Sequence, residues 1–274
     1  MTTADGAGEA LPAIAYQSWC AKSGFCTYTV RESGNGLEDV AKGRADWAGI
    51  DEELSSSEAE AMHSPVAYYP TLLAAIAVPV NIPGVAGHRV KLTGKNLGEI
   101  FSGTITNWSD RHFAAANHRH RFPALPITVC VPDHPPGTSS DFSDYLAKVS
   151  ATYRTKAGGA SMEPRWQAPK LVRLPHVNDV GTCVEQTPGA ISFMDLADAL
   201  RAGLAADVVA VGKSTLVTKT RGNKKVRVRT TTFLHPTEAA IVAAGHFAAS
   251  QVKADLTINL TNSPAPTRSL SRPG

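Results

Sequence analysis

Alternating strand and helix signals predict an α/β chain, with parallel sheets covered by helices. The size agrees: 274 residues, 43% of them hydrophobic, support a large core in one or two domains. So do three loops at strand ends, around Ser33, Asp51 and Thr138–Ser140, each with glycine near a hydroxyl or a carboxylate. In open parallel sheets, ligands sit at the carboxyl ends of strands.

The elements follow in order. Apolar spacing gives a helix over Pro12–Ala21 and a strand near Thr27–Arg31. After "ESGNG" a short helix runs to Gly43, and Asp46–Ile50 is a strand. The longest apolar stretch gives a buried strand over Ala67–Val80, broken by Pro83-Gly84. "RVKLT" is a strand and Gly94–Phe101 a short helix. "ALPITVCV" is a strand that enters the loop "PDHPPGTSS". A helix then begins, marked by Phe142, Tyr145, Leu146 and Val149. "TPGAISFMDLADAL" gives a strand at Ala190–Phe193, then a helix, and Pro236–Gln251 is a final alanine-rich helix.

Several function classes recede. The formal charge of +3 is too small to argue for nucleic acid. The most basic run, "KTRGNKKVRVRT", reads as a solvated hairpin, because Val226 and Val228 alternate with Arg227 and Arg229. "LLAAIAVPV" is too short to span a bilayer. No signal peptide is legible, and "MTTADGAGEALPAI" looks like a start Met placed on a mature or subcloned sequence. Cys20, Cys26, Cys130 and Cys183 match no zinc spacing, and no metal or cofactor is expected. Cys20 can bridge Cys26, and Cys130 can bridge Cys183, in an oxidising compartment. A hydrolase using Ser139 or Ser140 with His134 has no GxSxG elbow and no base placed by motif. Glu52 and Glu53 read as solvated helix-start residues.

The hydroxyls of Thr138–Ser140 have two readings. Ser and Thr are ordinary helix caps. A helix N-terminus also offers unpaired N–H donors and the positive end of a dipole to an anion. Ser33-Gly34-Asn35-Gly36 likewise precedes a helix. Two such termini facing one crevice would make an anion site.

"LTGKNLGEIFSGTITNWSD" resembles the signature segment of the phosphate-binding proteins of bacterial ABC importers. "GAGEALPAIAYQSW", "ESGNGLEDVAKGRADWAGID", "VPVNIPG", "ITVCVPDHPPGTSSDFSDYLAKVS", "VNDVGTCVEQTPGAISFMDLADA" and "LTNSPAP" resemble the same family in the same order. The resemblance implies a type II periplasmic-binding-protein fold: two α/β lobes, a hinge and an interlobe ligand cleft. Lobe one would hold residues 1–80, with Leu72–Val80 the first crossing strand. Lobe two would take 81–262, and 263–274 would be a disordered tail. The implied function is extracytoplasmic capture of inorganic phosphate, periplasmic or at the cell surface with a lipid anchor on the precursor, for the membrane permease of an ABC importer. The protein would be a monomer and not an enzyme.

The resemblance also implies site residues. Ser33 falls at the family's serine; Gly137 and Thr138 fall at its glycine and threonine. The backbone N–H of Leu11 would donate from the first loop. Asp51 falls at the family's aspartate, which accepts a hydrogen bond only from an anion still carrying a proton, and so favours phosphate over sulfate.

Departures stand beside these matches. Ala10 and Leu11 replace a threonine and an aromatic. "PDHPPGT" puts Pro132 at the family's arginine and Pro136 at its serine, and proline has no N–H to give. Each donor lost from a charged ligand costs about 1.5–3 kcal/mol. His134 and Arg31 are the candidate compensating cations. The family's return strand and last helix after "LTNSPAP" are not recognisable, so lobe one would be incomplete at the C-terminus and expose apolar surface. Pro132 and Pro136 speak for an alternative: a degenerate member that binds another oxyanion weakly, or acts as a sensor or interaction module.

Overall fold

The computed structural model describes residues 3–118, 120–133, 137–221 and 224–262. The chain opens with a strand, β1 (Ala4–Gly8), then α1 (Ala13–Ser23), β2 (Cys26–Val30), α2 (Ser33–Ala41) and β3 (Trp47–Gly49). The three strands form one parallel sheet in the order β2-β1-β3. β1 has no apolar alternation to announce it. Its glycines matter through what packs on them. A Cβ on Gly6 would lie 2.2 Å from the Trp47 ring, and one on Gly8 would lie 2.1 Å from the Gly49 carbonyl. Small residues let β3 and α2 close on the central strand. A small core of Ala13, Tyr16 and Tyr28, with Trp47 packed on it, lies beneath.

α3 (Ser56–Ala61) follows, closed by a capping box between Ser55 and Glu58. The stretch predicted as a strand over 67–80 is mostly irregular. Only β4 (Ile76–Ala77) is strand. Pro70 and Pro79 have no N–H to add to a ladder. Residues 75–82 are nonetheless pinned on both sides. The Val80 N–H donates to Asp207 O at 3.0 Å, and the Ser192 N–H donates to Pro79 O at 3.1 Å.

The rest builds the larger core. β5 (Lys91–Thr93) runs into α4 (Gly94–Phe101), capped by Thr93 and Asn96. β6 (Thr128–Pro132) leads to α5 (Gly137–Val149) and α6 (Ala151–Ala157). Next come β7 (Leu171–Leu174), α7 (Val177–Gln186), β8 (Ala190–Ile191), β9 (Met194–Asp195) and α8 (Leu196–Arg201). The β7-β6-β8 sheet is parallel, and β4 pairs antiparallel with β9. Phe101, Phe142, Trp166 and Phe193 pack ring on ring where α4 and α5 meet this sheet.

The predicted hairpin is longer than its basic run. β10 (Ala210–Arg221) and β11 (Lys224–Leu234) pair antiparallel, and β10 also pairs in parallel with β5. α9 (Glu238–Ala249) is the last helix among the described residues, as predicted, two residues shorter at each end. Disulfides join Cys20 to Cys26, from α1 to β2, and Cys130 to Cys183, from β6 to α7. Exposed Ile14, Trp19, Phe25 and Tyr69 give the N-terminal part considerable apolar surface. The predicted tail, 263–274, lies outside the described residues.

Candidate functional site

The crevice is made by four chain segments: the loop after β1, the start of α2, the loop after β3 and the start of α5. Ser33 is the first residue of α2 and is fully buried. The helix begins at Ser33 itself, not after "ESGNG", because Glu32 turns the chain with φ 61° and ψ 159°. That conformation is costly for a residue with a Cβ, and such strain clusters at binding sites. Gly137 is the first residue of α5. A Cβ there would sit 2.8 Å from Asp51 Cβ and 2.9 Å from Ser33 Oγ. Three sequence-predicted residues, Ser33, Asp51 and Gly137, therefore meet at one point.

Thr138 is buried at the same helix start, and its hydroxyl donates to Asp195 Oδ1 at 3.4 Å. Leu11 is half-buried in the turn entering α1. The first-loop donor that reaches the crevice is its neighbour: the Ala10 N–H donates at 2.9 Å to Glu9 Oε1. Arg31 is half-exposed and ion-pairs with Asp39 at 3.2 Å, so this cation is engaged on α2. His134 and Pro136 lie outside the described residues. Pro132 ends β6 and lines the crevice.

Acids that sequence reasoning missed dominate the site. Glu9 is 1% exposed, and its Oε2 accepts from Ser33 Oγ at 3.1 Å and from the Gly137 N–H at 3.2 Å. Its signal was a lone acid between "GAG" and "ALPAI". Asp195, at the end of β9, is buried beside Thr138. Glu52 is half-buried and bonded to the Ser140 hydroxyl, not solvated as predicted, because α3 begins further on at Ser56. Glu53 is exposed and pairs with Lys253 at 2.5 Å.

Burial raises the pKa of Glu9, and the nearby Glu32 raises it further. Asp51 is raised well above its ordinary value by burial, then by Glu9 and Asp195. Asp195 is raised well above its own by burial, then by Glu9. Buried like charges disfavour joint ionisation. Among the described residues no group of three or more His, Cys, Asp or Glu is arranged to hold a metal ion. A cavity of about 20 Å³ beside Glu9 is lined by Pro132, Thr138, Phe193, Asp195 and others, with no Lys, Arg or His among the described residues. A wider groove of about 520 Å³ opens next to it, between α1 and the Pro175-His176 turn.

Parallel sheets, an antiparallel β4–β9 crossover and a buried crevice fed by helix N-termini define an α/β periplasmic-binding-protein fold. The chain belongs to the PBP superfamily, whose domain profile matches residues 4–251. It is 31% identical over 170 residues to the phosphate-binding protein PstS of Xylella fastidiosa, covering 62% of this chain and 45% of that protein. It is 35% identical over 129 residues to the phosphate-binding protein PstS 2 of Mycobacterium tuberculosis, covering 45% of this chain and 34% of the relative. The chain thus spans less than half the length of these curated relatives. A solved high-affinity periplasmic phosphate-binding protein with bound phosphate superposes with a TM-score of 0.58 at 22% identity, over 92% of this chain and 68% of that one. That likeness speaks to the fold.

Proposed function

We propose that this chain captures inorganic phosphate in its crevice and serves the membrane permease of an ABC importer. One observation carries the reading. The Ser33 hydroxyl and the backbone N–H groups of Ala10 and Gly137 converge on a single buried oxyanion group. Hydroxyls and helix-start N–H groups are what phosphate requires. The names of the relatives supply the ion. Ser33, Asp51, Gly137, Thr138 and the Leu11 N–H form the phosphate set. Residues 1–80 and 81–262 act as the two lobes. Asp51 selects the ion: a carboxyl facing the ligand tolerates phosphate bearing a proton better than sulfate, which bears none near neutral pH.

The protein acts outside the cytoplasm, as a monomer and without turnover. Two disulfides support that compartment. Among the described residues no helix is long and apolar enough to cross a membrane.

Calorimetric titration of phosphate-stripped protein tests the reading. Phosphate should give saturable heat at neutral pH, and sulfate none. Silence with both ions, from folded protein, would sink it.

A further inference from the structure

The site already contains a carboxyl group, and it belongs to the chain. Glu9 follows the last glycine of β1, and its own carbonyl accepts from the Tyr28 hydroxyl at 2.8 Å, which fixes the backbone there. Its carboxylate turns into the crevice and takes three donors: Ala10 N–H at 2.9 Å, Ser33 Oγ–H at 3.1 Å and Gly137 N–H at 3.2 Å. These donors come from three separate segments. Gly137 opens a 13-residue helix, so its N–H has no helical partner and lies at the positive end of the dipole. The donors match the two ends of a carboxylate as they would match two oxygens of a free oxyanion.

The surroundings do not otherwise favour a charge there. Glu32 precedes α2, Asp51 follows β3, Asp195 ends β9 and Asp141 lies on α5; all four act on the same crevice. Among the described residues no Lys, Arg or His lines the small cavity beside Glu9, while His176 and Arg201 line the wider groove next to it. A carboxylate placed among carboxylates is costly unless donors hold it. The point on which Ala10, Ser33 and Gly137 converge is filled by the Glu9 carboxyl itself, beside a small cavity of about 20 Å³.

We propose that Glu9 is a built-in occupant of the oxyanion seat, so that an external oxyanion binds only by displacing its carboxylate. The identity of that external ion rests on the phosphate reading above. The occupancy does not, and the two are separable by experiment.

The test uses the whole chain and Glu9→Ala, which empties the seat but keeps its donors. Two probes are titrated, acetate and inorganic phosphate, against chloride at equal ionic strength. Acetate restores the missing carboxylate. It should raise the Tm of Glu9→Ala and leave the wild type unmoved, and adding Ser33→Ala should abolish that rise. Phosphate should bind Glu9→Ala at least tenfold more tightly than wild type. Acetate rescue without phosphate binding to either protein would support the occupancy and defeat the phosphate reading. Equal phosphate affinity in both proteins, with no acetate rescue, would overturn the occupancy and leave the phosphate reading standing. Should Glu9→Ala fail to fold, Glu9→Gln replaces it. Its amide sets an N–H₂ against donors and is expelled from the seat, so tighter phosphate binding is again expected, and unchanged affinity overturns the proposal.

Discussion

Gly137 and Asp51 touch across the crevice: a Cβ on Gly137 would lie 2.8 Å from both the Cβ and the Oδ2 of Asp51. Contacts that short do not occur, so Gly137→Ala must push Asp51 or Ser33 aside. Overpacking of this kind costs about 1–3 kcal/mol. Alanine regains at most about 1 kcal/mol of helix propensity, less at a first helical position. Crowding therefore wins. Urea unfolding of Gly137→Ala should show lower stability than wild type, and its phosphate affinity should fall at least tenfold by calorimetry. A variant of unchanged stability would mean that the crevice opens freely at this point.

Asp51→Asn removes one member of a crowded set of acids. Burial, Glu9 and Asp195 all resist ionisation at Asp51. The substitution should therefore stabilise the fold, by roughly 1 kcal/mol, and more at pH 8 than at pH 5. It should also narrow the gap between phosphate and sulfate at pH values where Asp51 is ionised, because an amide can donate to a fully ionised oxygen and a carboxylate cannot. Parallel calorimetric titrations with both ions check this. Unchanged selectivity would remove Asp51 as the discriminating acceptor.

These two residues also mark what was legible. Strand-end loops with glycine pointed to Ser33, Asp51 and Thr138–Ser140, and the resemblance added Gly137; geometry brings Ser33, Asp51 and Gly137 together at one point. β1 escaped because its packing depends on small size rather than on apolar alternation, as Gly6 under Trp47 demonstrates. Glu9 escaped with it: nothing local says that an acid one residue past an unseen strand turns inward. The strand expected over 67–80 failed for the opposite reason. Its apolar content was real, but Pro70 and Pro79 and the lack of a long partner left only Ile76–Ala77 as strand, with single bridges at Pro79 and Val80.

A hydrogen bond joins Trp108 to Gly189, 81 residues further along the chain. Trp108 is fully buried and donates its indole N–H to the Gly189 carbonyl at 3.0 Å. Gly189 has φ 85°, and a Cβ there would lie 2.3 Å from the Pro126 carbonyl. Trp108→Phe takes the indole donor from that carbonyl, at about 1–3 kcal/mol, and adds a void beside Phe113 and Phe122. A total loss of at least ~2 kcal/mol is expected in urea unfolding, with phosphate affinity little changed, since Trp108 is a core residue and neither Trp108 nor Gly189 lines the crevice. A large loss of binding at retained stability would couple this bond to the site instead.

Stability should depend on pH with an unusual sign. Asp141, on α5, is raised from the ordinary aspartate value of 3.8 to about 7, mainly by burial and then by Glu52. A carboxyl with a raised pKa binds its proton more tightly in the folded chain than in the unfolded one. Its contribution is therefore full below pH 3.8, declines as pH rises towards 7, and is flat beyond. Glu9, Asp51 and Asp195 are raised too and add to the decline. Carboxyls with lowered pKa values, such as Asp110, Asp144, Glu38 and Glu53, add stability only until about a unit above their ordinary values of 3.8 and 4.5, so they oppose the decline below about pH 5.5 and not above it. Every tenfold gain in proton affinity on folding is worth about 1.4 kcal/mol, so a decline of a few kcal/mol is expected. The urea midpoint should fall between about pH 5.5 and about 7. Asp141→Asn should flatten part of that slope and be more stable than wild type at pH 8. A midpoint that rises across the window would show that these acids are hydrated in the folded chain.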